Sequence, residues 1–529
     1  MRKIRIFAML LIVIMMTVIP SEISLADQVY SKYVYSNDDI GYIVYSYIPY
    51  GQSDDTLTIN ERKEDLEPLG PNSFAIMPDG TIYILDTLSG KIKHYTKEGK
   101  FLEAIQLPID VYAIDMEITA NTVYILGFDG EIYARELDSY NSSAMWSLKG
   151  KYPREDIIAL QAENGMVYVR SWTGNDKNLS IQDETVTPIT KSNKDNVITL
   201  NKAGISYKIN YVAHPIGTYI VKSDANKTYI MEQEALLGYY PYAETRIGQY
   251  INGVKVATAL PISTADYKYS IPYKKLYIAD DGNVYQMVPE ENGIKIYIVP
   301  WLKGERTRIT PEMIALDKKP WPETEPIVTP LTVGASEALD RAYTTCFTGW
   351  WYNGTTHHTP TTPTTQSPIQ LGTTPKQVAG IPYCWGGMNG WDTGTYTGST
   401  LAYMINFDTA LSKGQTAGNV NTSTDGYVPG TAGLDCSGFI SAMFKFNTKL
   451  STRSIPNYFT KITWSQVAPG DIANYAGKHV FMIKYKYTSN GEFYMMSTYE
   501  STTQGSYQGT TILHRYLADV VNVYTPYRK

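Results

Sequence analysis

Cysteine is scarce: the 529 residues contain three, Cys346, Cys384 and Cys436, all in the last third. So few sulfurs rule out a disulfide-built scaffold, and an odd number leaves at least one thiol free unless two chains pair. An excess of one charge is also lacking. With 46 basic and 52 acidic residues the net charge is -6 and no basic block occurs, which argues against nucleic acid as the main partner. Histidine is limited to six residues, and after residue 19 no apolar run approaches membrane-spanning length. What abounds is tyrosine, 45 residues, which favours β-structure and polar-tipped surfaces but names no ligand. The length exceeds what one hydrophobic core supports, so two folded parts are expected.

Residues 1–26 read as a secretory signal. Arg2, Lys3 and Arg5 form a basic start, residues 6–19 are apolar, and Ser24-Leu25-Ala26 offers small residues for cleavage. The apolar run is short of the ~20 residues a spanning helix needs, so cleavage near Asp27 is expected over an uncleaved anchor. The protein is then secreted, extracellular or wall-associated, with no stable membrane span after cleavage.

From 27 to 316 short strand signals alternate with Gly, Asp and Asn turns. One unit recurs: DGTIY at 79–83, DGEIY at 129–133, NGMVY at 164–168 and DGNVY at 281–285. Asp-Gly and Asn-Gly suit positive-φ turns, and the alternating β-formers after them predict hairpins. Spacings of roughly 35 to 50 residues between consecutive units suit one four-stranded blade per repeat. Residues 73–107 form the best single blade and resemble the repeats of secreted NHL-type propellers. The expectation is an all-β propeller of about six blades, with the Tyr-rich 29–49 closing the ring.

Proline-dense 317–333 reads as a linker, and 334–529 as a second domain with insertions at 352–376 and 388–433. The Thr/Pro-rich 352–376 shows no packing pattern and is expected to be exposed. Within the second insertion, STLAYMINFDTALSKG (399–414) predicts a helix.

Cys436 lies in LDCSGFISAMF. Asp435 is a good N-cap, and Phe439, Ile440, Met443 and Phe444 fall at helical spacing, so a helix begins at the cysteine. A helix N-terminus lowers a thiol pKa and offers N–H groups to an oxyanion. Taken alone, a buried structural cysteine is the better reading. A thiolate mechanism also needs a base. His94 and His214 lie among the β-repeats, His357 and His358 in the Thr/Pro insertion with no acidic or cysteine partner for a metal. His479 opens HVFMIKYKY, where His479, Phe481, Ile483 and Tyr485 share one strand face and Val480, Met482, Lys484 and Lys486 the other, which the lysines mark as wetter. His479 therefore starts the inward face, and His514 reads as structural.

Three blocks, GIPYCWGG (380–387), LDCSGFI (434–440) and APGDIANYAGKHVFMI (468–483), resemble in this order the signature blocks of the NlpC-type cell-wall peptidases, papain-like cysteine hydrolases. The resemblance covers about 334–529 and implies an α+β papain-like domain. It implies Cys436 as nucleophile and His479 as base, with Tyr383 over the nucleophile and Asp435 and Ser437 on the free amine of a peptidoglycan stem peptide. The bond expected to be cut joins D-glutamate to the diamino acid, without a cofactor or metal.

Two departures stand out. The insertion at 388–433 is longer than the family usually carries, and the third catalytic position offers Ser497, Thr498 or Glu500; Glu500 is chosen because a carboxylate fixes an imidazole tautomer. Cys384, next to Tyr383, reads as packing. The ring is expected to serve as a targeting or regulatory platform with a wall polymer or protein as partner. The alternatives are an amidase or acyl transferase on the same frame, and a non-catalytic wall-binding protein.

Overall fold

The computed structural model describes residues 40–319 and 333–529, apart from 61–68, 120, 138–144, 164, 173–176, 179–188, 195, 225, 268–269 and 392–401. The segment read as a secretory signal and most of the proline-rich linker lie outside the described residues. No described helix is long and apolar enough to cross a membrane.

The hairpin signals fold as such. Gly80, Gly130, Gly165 and Gly282 all take positive φ, between 77° and 87°, at the four recurring turns. Six antiparallel sheets follow one another between residues 43 and 303. Five of them present a strand to one central cavity: β2 (Ser73–Ile76), β3 (Ala113–Ile118), β4 (Ile157–Glu163), β5 (His214–Ser223) and β6 (Leu276–Ile278). The N-terminal strand β1 (Ile43–Pro49) pairs with β7 (Gly293–Val299) on the outside of the last sheet, so the first strand closes the ring. Such closure satisfies the edges that an open array would expose.

This is a propeller-like all-β ring, but the expected count of about six needs correction. The sheet of strands Ile189–Lys194, Val197–Lys202 and Ile205–Asn210 does not reach the cavity. Its Ile198, Leu200 and Ile209 pack instead on Ile220 and Ile230 of the neighbouring sheet. Among the described residues, five sheets surround the cavity and this one flanks them. The ring also extends through Asp317: helix Pro311–Asp317 follows the last strand, and the Asp317 carboxylate accepts the N–H groups of Gly238 (2.7 Å) and Tyr240 (3.0 Å).

The second unit is built on helices α1 (Ala335–Phe347) and α2 (Cys436–Met443) and one antiparallel sheet. Its spatial order is β8 (Thr460–Lys461), β13 (Thr525–Arg528), β9 (Ile472–Tyr475), β10 (His479–Ser489), β11 (Glu492–Thr502) and β12 (Gly509–Tyr516), with helix α3 (Leu517–Val520) between β12 and β13. Helices α1 and α2 cover one face. There Phe439, Ile440 and Met443 join Val480, Met482 and Tyr499 in one apolar cluster. Arg341 of α1 donates to the carbonyls of Ala442 (2.7 Å) and Met443 (3.0 Å), placing a cation at the negative end of α2.

The opposite face packs on α3 and on the ring. Phe481, Ile483, Met496 and Leu517 share a cluster with Ile216, Ala235 and Ala243 of the β5 sheet. Polar contacts cross the same junction: Thr218 donates to Glu492 (2.7 Å), and Asn522 exchanges two hydrogen bonds with the Ala243 backbone. The first half of β10 is therefore buried on both faces. This corrects the expectation of a wet Val480/Met482 face. The lysines that suggested it come later in the strand, where burial lapses.

The insertion at 352–376 is also less exposed than expected. Its base is an antiparallel pair, Gly349–Tyr352 with Lys376–Ala379, and Leu371 and Thr359 are fully buried. The Thr359 hydroxyl lies 2.7 Å from the Gly418 carbonyl, and Val420 N–H donates to Gln366 O, so the two insertions pack on each other. Of the helix expected over 399–414, residues Phe407–Ser412 are helical, capped by the Asn406 side chain.

Candidate active site

Helix α2 begins at Cys436, as its sequence predicts. Asp435 is the N-cap, and its Oδ1 accepts Gly438 N–H at 2.6 Å. A Cβ at Gly438 would sit 2.0 Å from the Gly387 carbonyl oxygen, so only glycine admits this approach of the 380–387 segment. That segment is tied alongside. Tyr383 bridges Leu434 in parallel, Cys384 N–H donates to Leu434 O, and Gly386 N–H donates to Asp435 Oδ2 at 2.9 Å. Tyr383 and Cys436 are both buried.

The Ser501 hydroxyl, on β11, donates to Leu434 O at 2.6 Å. This contact sets the start of α2 at the end of the sheet where β10 begins with His479. By strand alternation His479 belongs with Phe481 and Ile483, on the face shared with Glu500, whereas α2 packs on the Val480 and Met482 side. Cys436 and His479 thus come from opposite sides of the sheet toward the same sheet end.

The imidazole is held firmly. His479 Nε2 lies 2.7 Å from Glu500 Oε2, and both groups are buried. Arg515 donates to the same carboxylate through Nε (3.0 Å) and Nη2 (2.5 Å), and the Thr498 hydroxyl adds a bond to Oε1 at 2.5 Å. Burial disfavours the charged form of Glu500. The Arg515 charge and the hydrogen bonds from His479 and Arg515 outweigh it and hold the carboxyl well below the usual carboxylate range. An ionised carboxylate only accepts, so Nε2 carries the proton and the neutral ring keeps its lone pair on Nδ1. Nδ1 is the basic atom of this arrangement.

Asp435 and Ser437 are engaged internally. Lys449 Nζ lies 2.9 Å from Asp435 Oδ2 and 2.9 Å from Ser437 Oγ, and Ser437 donates to Asp435 Oδ1 at 3.2 Å. An ammonium group of the chain itself occupies this pair. Burial raises the other two thiols: Cys384, 3.2 Å from the Thr431 hydroxyl, is pushed up to about 12, and Cys346 is pushed higher still. His514 sits away from this group, beside the ring junction. Burial and the Arg154 charge push it down to about 4.

Sequence reasoning missed Arg515 and Lys449. Arg515 lies one residue beyond His514 in an unremarkable strand; the register of β11 with β12 pairs it with Met496, on the same face as Glu500, and its long side chain reaches along that face to the carboxylate. Lys449 follows the end of α2 and folds back onto the N-cap at its start; no local pattern marks it.

No protein-family model matches the chain, and no curated protein matches it. Among solved structures it is similar to a streptogramin B lyase (10% identity, covering 47% of this chain and 100% of that one, TM-score 0.27). It is similar also to virginiamycin B lyase from Staphylococcus aureus (13%, 46% and 99%, TM-score 0.25). Glutaminyl cyclase from Myxococcus xanthus aligns at 9% identity over 50% of this chain and 100% of that chain, with a TM-score of 0.26.

Proposed function

We propose that the protein is an exported cysteine hydrolase acting on peptidoglycan stem peptides, with the ring as its targeting or regulatory platform. The observation that carries the reading is the buried His479–Glu500–Arg515 chain at the sheet end where the Cys436 helix begins. Glu500 orients the imidazole and stabilises its protonated form. Nδ1 takes the Cys436 proton, and the thiolate attacks the amide carbonyl. His479 then protonates the leaving amine, and water attacks the thioester with the imidazole again as base, freeing the acid and restoring the thiol. The positive end of α2 favours both the thiolate and the oxyanion. By the resemblance of the three sequence blocks, the bond is that between D-glutamate and the diamino acid.

The test is digestion of purified peptidoglycan by the wild type and by Cys436→Ala. The reading expects muropeptide release from the wild type alone; equal release by both overturns it.

A second reading is favoured by Lys449. Because its ammonium already sits on Asp435 and Ser437, a substrate with no free amine suits the site better, which points to an amidase or another acyl transferase on the same residues. Mass spectrometry of the products separates the two, since an amidase frees the sugar-lactyl end from L-alanine. The full burial of Cys436 favours a third, a non-catalytic wall-binding protein, and its mark would be wall binding with no product under any condition.

A further inference from the structure

Between the ring and the second unit lies a cleft of about 500 Å³ that the hydrolase reading touches only at Arg515. One wall comes from the β3 sheet and the loops before β4 and β6, the other from β12 and α3. Ile114, Ile271, Pro272, Ile512 and Val520 make much of the lining apolar.

Arg154 is the charged group set among these surfaces. Its guanidinium stacks over the Tyr273 ring at 4.9 Å, and Nη1 lies 3.3 Å from Ile157 O and 3.4 Å from the Tyr516 hydroxyl. Those neighbours are neutral; among the described residues no carboxylate pairs with Arg154. The Tyr273 and Tyr516 hydroxyls, 2.8 Å apart, are fixed to the carbonyls of Ile158 and Ile157, so the aromatic seat of the guanidinium is built from both units and rigid. Arg515 holds Glu500, Asp519 pairs with Lys275, Lys151 with Glu131, and Asp129 is exposed. Glu155 also lines the cleft and pairs with no cation among the described residues.

A half-buried guanidinium without a carboxylate, lining a cleft of ligand size with much apolar surface, is the arrangement that recognises an anion carried on an apolar body. We propose that this cleft binds a short peptide or organic acid through its free carboxylate, with Arg154 as the anchor. The site includes Arg515, so an occupant stands next to the residue that holds Glu500. This assignment does not depend on Cys436 being a nucleophile.

The experiment is calorimetric titration of the full chain at neutral pH with N-acetyl-Ala-Ala, in its L,L and D,D forms, and with the matching C-terminal amides. At least one carboxylate form is expected to bind saturably and at least about tenfold more tightly than its amide. Arg154→Gln should abolish that preference, and Arg154→Lys, keeping the charge, should retain part of it. If neither carboxylate form binds, or the preference persists in Arg154→Gln, the assignment fails. Should Arg154→Gln not fold, the comparison of wild type with Arg154→Lys and of acid with amide still decides. Peptidoglycan digestion by Cys436→Ala is a separate readout, so failure of one reading does not mimic failure of the other.

Discussion

Glu500 Oε2 receives His479 Nε2 at 2.7 Å and Arg515 Nη2 at 2.5 Å, so one oxygen joins the imidazole to a guanidinium. The carboxylate cannot be lost without releasing both partners.

Glu500→Gln keeps the shape but allows the amide to donate to Nε2, which would move the proton to Nδ1. The proposed hydrolase should lose roughly 10²- to 10⁴-fold in kcat with little change in KM. Steady-state kinetics on a soluble stem peptide measures this; an unchanged kcat would show that His479 is not the base.

Arg515→Met leaves Glu500 buried without its cation. A loss of about 3–5 kcal/mol is expected, of the order found when one member of a buried ion pair is removed. Urea unfolding of the two proteins gives the difference.

Acid should destabilise the fold in two windows. The folded His514 is pushed down to about 4, so its contribution is complete above its unfolded pKa near ~6.5 and is lost as pH falls toward about 4. Glu500 is held below the usual carboxylate range, so its contribution is complete above ~4.3 and is lost only below that. Melting temperatures from pH 7 to pH 2.5 should therefore flatten in the upper window for His514→Asn and in the lower one for Glu500→Gln. A variant that melts in parallel with the wild type throughout contradicts the assigned shift.

Among the three thiols, Cys436 should react first. Cys384 is pushed up to about 12 and Cys346 higher, which leaves almost no thiolate on either at neutral pH. Timed alkylation with iodoacetamide, read by peptide mapping, should label Cys436 at least about tenfold faster. A faster Cys346 or Cys384 removes the case for Cys436 as nucleophile.

Lys449→Ala should free the Asp435–Ser437 pair for an amine of the substrate. Preference for free-amine over N-acetylated peptides should rise by roughly 10- to 100-fold in kcat/KM, the worth of one or two charge-assisted hydrogen bonds. An unaltered ratio would mean that the pair does not face substrate.

What the sequence by itself determined is local. The positive-φ turns at Gly80, Gly130, Gly165 and Gly282, the Asp435 cap and the apolar face of the Cys436 helix all follow from interactions within a few residues, and each is where its own sequence places it. Glu500 could be chosen as the partner of His479 from its chemistry, but Ser497 and Thr498 were equally near along the strand, and only cross-strand register decided among them. The tertiary structure alone decided that five sheets rather than six ring the cavity, that β10 is buried on both faces, and that Arg515 and Lys449 join the site. Each depends on which distant surfaces meet. A strand's alternation states that it has two faces, not what will cover each.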